Sequence, residues 1–133
     1  MGQEVSRAVD TNIVIRYLTR DDPVQAPIAT EILRAGFLLS ATVLIETEWV
    51  LRSFYRWPRD RIAEALASLI DLPSADIVPE GADWALARFA NGADLADMIH
   101  ILAGVGASAF ATFDDAIAGY AGANSPLPIE TLA

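Results

Sequence analysis

The chain has 133 residues, 53% of them hydrophobic and 20% charged, the size and balance of one globular domain with a real core. Eighteen acids face nine bases, every one an arginine, for a formal net charge of -9, so any grip on a polyanion must come from local arginines or bound cations. The absence of cysteine excludes disulfides, thiolate metal sites and cysteine nucleophiles, and the lack of an apolar h-region or a long apolar run predicts a cytoplasmic protein without membrane association.

In chain order, residues 5–9 predict a short buried strand running into Asp10, and residues 12–18 a helix. Asp22 and Pro23 read as the N-cap and first residue of a second helix, although Pro27 moves its start towards Ala26. Gly36 stops that helix and residues 37–40 form a second strand. A long helix is expected over 41–56. Pro58 opens another that runs to Asp71, with Ile62, Leu66, Leu69 and Ile70 at helical spacing. A strand over 75–78 precedes a helix over 81–91, closed by Asn91 and Gly92. The final elements are a helix over 94–106, a strand over 109–112, a helix over 115–121 and an edge strand over 128–131. Without internal repeats or linkers, this alternation predicts a single α/β domain, residues 1–133, with a mostly parallel sheet.

Sites in such sheets form beyond the carboxyl ends of the strands. Asp10 ends the first strand and Asp114 follows the strand AFATF, so both aim at the same rim, although either also suits a helix N-cap. In VLIETEWVL the two glutamates separate by helical spacing. Glu48 stands four before Arg52 and reads as a solvated ion pair, whereas Glu46 stands three and four before Trp49 and Val50 and is expected on the core-facing stripe. In GADLADMIHILAG, Asp94 reads as an N-cap with Asp97 three residues on, and Asp97 falls on the apolar face with Met98 and Ile101.

Four acids, Asp10, Glu46, Asp97 and Asp114, are thus expected at one rim. Gathered carboxylates repel unless a cation or shared protons neutralise them. Oxygen-only ligands with a single histidine in the chain favour Mg²⁺ or Mn²⁺, an ion that grips a phosphodiester, acidifies a water and stabilises developing charge. His100, one turn beyond Asp97, reads as an ordinary helix residue and is not assigned a role.

The segments VDTNIVIRYL (9–18), SATVLIETEWVLRS (40–53), GADLADMIH (92–100) and ATFDDAIA (111–118) together resemble the PIN-domain ribonucleases, and among them the VapC-type toxins of toxin–antitoxin pairs. The resemblance implies a three-layer α/β/α sandwich with a short parallel sheet. It implies a metal-dependent endoribonuclease in which Asp10, Glu46, Asp97 and Asp114 hold Mg²⁺ or Mn²⁺, with Asp94 as a supporting ligand. Thr11, Asn12 and Thr112 match positions where hydroxyl and amide groups orient carboxylates or waters. Asp115 directly follows Asp114, so either could be the fourth ligand; the family position favours Asp114.

The implied partners are an RNA substrate, a VapB-like antitoxin and a second copy of the chain. Arg16 and Arg20 are placed near the Asp10 rim, and Arg52, Arg56, Arg59 and Arg61 form a second basic group. Aromatic residues at 49, 54, 57 and 84 suit interfaces and core packing equally. Phosphotransfer folds with an aspartate after the first strand want a lysine, which this chain lacks. The alternative from a different class is a catalytically weak PIN-fold binding module acting through a partner.

Overall fold

A computed structural model describes residues 6–133. The chain divides into two compact units, the first ending at Val78 and the second running from Pro79 to Ala133. In the first unit the order is β1 (Arg7–Ala8), α1 (Thr11–Thr19), α2 (Gln25–Arg34), β2 (Phe37–Ser40), α3 (Ala41–Ser53), α4 (Arg59–Ile70) and β3 (Ala75–Val78). The strands form a parallel sheet in the order β1-β2-β3, with Arg7 opposite Phe37 and Phe37 opposite Ala75. The strand expected over 5–9 is shorter than read, and its first residue lies outside the described residues.

The first helices start where their capping chemistry places them. The Asp10 carboxylate accepts a hydrogen bond from the Ile13 N–H, and the Ser40 hydroxyl does the same for Val43. Asp22 Oδ1 accepts from both the Val24 and Gln25 N–H groups, so the turn at Pro23 feeds α2 without being part of it. Pro27 is then the third residue of α2, inside the first turn, where its missing N–H would have had no helical partner. The third helix ends at Ser53, three residues sooner than expected, and the backbone turns left-handed at Arg56 with φ of 60°.

Core positions in this unit come from its four helices and β2, with Val14, Leu33, Phe37, Leu39, Leu44, Leu51, Ile62 and Leu66 all buried. The stripe that α3 buries is Ala41, Leu44, Thr47, Glu48 and Leu51, a clean i, i+3, i+4, i+7 pattern.

The second unit holds α5 (Ala82–Ala90), α6 (Leu95–Ala103), β4 (Phe110–Thr112), α7 (Ile117–Ala121) and β5 (Ile129–Thr131). Strand β5 pairs parallel to β4, Phe110 opposite Ile129, so it is a true sheet partner. Helices α5 and α6 pack closely: a Cβ at Gly81 would come within 2.8 Å of Leu102 Cδ2, and the Gly81 φ of 100° also favours glycine. Leu86, Phe89, Leu95, Met98, Ile101 and Leu102 make the apolar centre of this unit. No helix among the described residues is long and apolar enough to cross a membrane.

Candidate functional site

In the first unit Asp10 leaves β1 and caps α1, its Oδ1 3.1 Å from the Ile13 nitrogen. Capping and exposure coexist here: the residue stays open to solvent while one backbone N–H fixes its orientation. It lines a groove of about 670 Å³ together with Arg7, Asn12, Arg16, Gln25 and Ile28. Arg16 is held there from two sides, by Gln25 Oε1 at 2.8 Å from its Nε and by Asp21 at 3.4 Å. Asp21 also accepts from Thr19 and from the Tyr55 hydroxyl, and these donors hold its carboxyl below the usual carboxylate range. Arg20, expected at the same rim, instead stands over the Tyr17 ring at the end of α1.

Glu46 and Glu48 exchange the environments expected of them. Glu48 is the buried member, salt-bridged to Arg52 at 2.7 Å, whereas Glu46 is exposed. The reason is that Trp49, three residues beyond Glu46, is exposed; the buried stripe runs through Leu44, Thr47 and Leu51. Glu46 nevertheless has a defined partner: the buried Thr11, first residue of α1, donates its hydroxyl to Glu46 Oε1 at 2.5 Å. A carboxylate on α3 is thereby tied to the residue that follows Asp10.

In the second unit Asp94 caps α6, accepting from the Asp97 N–H at 3.0 Å, as the capping reading expects. Asp97 is half-buried. Burial is the main force pushing its carboxyl above the usual range, the Asp94 charge adds to it, His100 partly offsets it, and Asp114 pushes it further up.

Asp114 sits in a turn built from side chains. Its N–H donates to Thr112 Oγ1 at 3.0 Å, and its own Oδ1 accepts from the Ala116 N–H at 2.9 Å. That turn occupies residues 114–116, which is why α7 begins at Ile117 and not at Asp115. The Thr112 hydroxyl thus fixes the backbone at Asp114, whose charge reaches Asp97. Asp115 is exposed. Among the described residues, neither unit draws three acidic or histidine side chains into a ready-made metal cage.

A strand followed by an aspartate that caps a helix, a second carboxylate on α3, and an Asp94–Asp97–Asp114 set on α6 and after β4 follow one another in a fixed chain order. The family model for the PIN domain matches this chain over residues 7–123. The chain belongs to the PIN-domain family. No curated protein and no solved structure matches it. Membership gives the three-layer α/β/α fold class expected from the sequence, with seven helices and a three-stranded parallel sheet among the described residues. PIN domains are generally a nuclease fold, usually metal-dependent and served by Mg²⁺ or Mn²⁺.

Proposed function

We propose that this PIN domain is a divalent-metal-dependent endoribonuclease and the toxin of a toxin–antitoxin pair. Residues 1–133 are read as a single PIN-like domain whose metal ligands are Asp10, Glu46, Asp97 and Asp114, supported by Asp94. The observation that carries the reading is the half-buried Asp97 carboxylate beside the charges of Asp94 and Asp114 in a chain of this family. An anionic set of this kind, all oxygen and without cysteine, suits a hard cation of the Mg²⁺ or Mn²⁺ class.

When bound, such an ion supplies stabilisation of the phosphodiester's developing charge and lowers the pKa of a water. The chain's own residues do the positioning. Thr11 holds Glu46, Thr112 holds Asp114, and the α6 N-terminus fixes Asp94 through the Asp97 N–H. Asn12 lines the Asp10 groove, where its amide can orient a carboxylate or a water. Arg16, braced by Gln25 and Asp21 in that groove, is placed to take a phosphate of the RNA.

A VapB-like antitoxin and a second copy of the chain complete the proposed partnership, and the site of action is the cytoplasm. The toxin reading is tested by expressing the chain alone and mapping RNA ends. Arrested growth with discrete new cleavage sites, both abolished by Asp97→Asn, is the expected result. Growth and RNA ends unchanged by the wild-type chain would remove the toxin assignment.

A further inference from the structure

Four of the nine arginines, at 52, 56, 59 and 61, fall within RSFYRWPRDR (52–61), interrupted by a single acid, Asp60. The same ten residues hold Phe54, Tyr55 and Trp57. Phe54 is 75% exposed, an unusual state for a phenylalanine. The segment is not loose. The Phe54 and Tyr55 N–H groups both donate to the Val50 carbonyl, and the Trp57 N–H donates to that of Leu51. Tyr55 packs edge-on against Phe54 at 5.1 Å between ring centroids and is anchored by its hydroxyl to Asp21. Arg61 lies over the Trp57 ring at 3.8 Å. Arg56 stays exposed on a left-handed backbone.

We propose that residues 52–61 form a docking platform for single-stranded RNA, with the Phe54 ring stacking on a base and the Arg56 guanidinium meeting the backbone phosphates. The assignment rests on the nuclease reading and names how its substrate is gripped. Charge selects the occupant. A chain with a net charge of -9 repels a polyanion over most of its surface, so attraction must be concentrated, and here, with Arg52 already paired to Glu48, the arginines at 56, 59 and 61 alternate with ring faces. An exposed ring flanked by arginines is the combination that binds single strands with little sequence preference. Phe54 lies eight residues beyond Glu46 along α3, roughly 12 Å of helix rise, so a strand held at Phe54 is within a few nucleotides of that carboxylate.

The test is fluorescence anisotropy of the full chain with a labelled, unstructured oligoribonucleotide in EDTA, where cleavage is suppressed. Phe54→Ala removes an exposed ring without opening the core. Arg56→Gly removes the cation while placing glycine on a backbone that favours it. Each is expected to weaken binding about fivefold or more, and Arg56→Gly to lower the slope of log affinity against log salt by about 0.7.

Unchanged RNA affinity in both platform variants would overturn the proposal and leave the nuclease reading standing. So would a change in sedimentation on Phe54→Ala without a change in RNA affinity, which would assign the patch to a contact between copies of the chain. Binding that follows the platform variants in a chain that cleaves nothing would instead defeat the nuclease reading alone.

Discussion

Asp97 carries opposed demands: it is half-buried beside Asp94 and Asp114, yet its proposed role requires a charged carboxylate. Its folded-state pKa is raised, so between the ordinary aspartate value and that raised one the native chain holds a proton there that the unfolded chain has released. Stability without metal therefore falls as pH rises from the ordinary aspartate value of 3.8 through the raised value. Asp97→Asn should flatten that fall and raise the melting temperature at pH 7 in EDTA. Conversely, Mn²⁺ should raise the melting temperature of the wild type and do so far less for Asp97→Asn. Thermal melts from pH 4 to pH 7, with and without Mn²⁺, check both; a wild-type melting temperature indifferent to Mn²⁺ would count against the ligand assignment. The cap at Asp94 was legible in the sequence because capping is local. The raised pKa was not, since it depends on how deeply α6 sets its first turn and on Asp114 from another element.

Helix α3 shows what local pattern reading misses. Spacing from Trp49 and Val50 puts Glu46 inside, and the i,i+4 pairing with Arg52 puts Glu48 outside. Burial of Leu44, Thr47, Glu48 and Leu51 reverses that, because which face of a helix is covered is decided by the elements packed on it. Arg52→Ala should consequently cost more than a surface ion pair, about 1–2 kcal/mol in chemical denaturation, by depriving the buried Glu48 of its salt bridge. A loss under 0.5 kcal/mol would mean that Glu48 is solvated well enough without it. At the α5–α6 contact, Gly81→Ala should destabilise by about 1–2 kcal/mol, since both the positive φ and Leu102 oppose a Cβ. The boundaries of β2 and β3 matched the sequence reading to the residue, being bounded by Gly36 and a helix cap on one side and helix-to-strand turns on the other. Helix α7 did not match, because the Asp114 side chain takes the turn that a helix would have used.

For the whole molecule, the alternation of strands and helices was enough to give the α/β class, and four short segments in order pointed to the PIN family that the match over residues 7–123 establishes. The five strands among the described residues, all paired in parallel, were visible as short apolar runs, but their division into a three-stranded and a two-stranded sheet was not. Pairing between strands far apart in sequence leaves no local signature. Under the proposed function, an acidic PIN domain must concentrate both its cations and its metal-binding oxygens, and the proposed carboxylate ligands are the part on which activity would depend. The most direct measurement is cleavage of RNA by the purified chain with Mn²⁺, alongside Asp97→Asn and an EDTA control. Cleavage by the wild type that is lost in EDTA and reduced at least a hundredfold in Asp97→Asn is expected. Equal cleavage by both proteins, or none from either across a broad range of RNAs and metals, would contradict it and favour a PIN-fold module that acts through a partner.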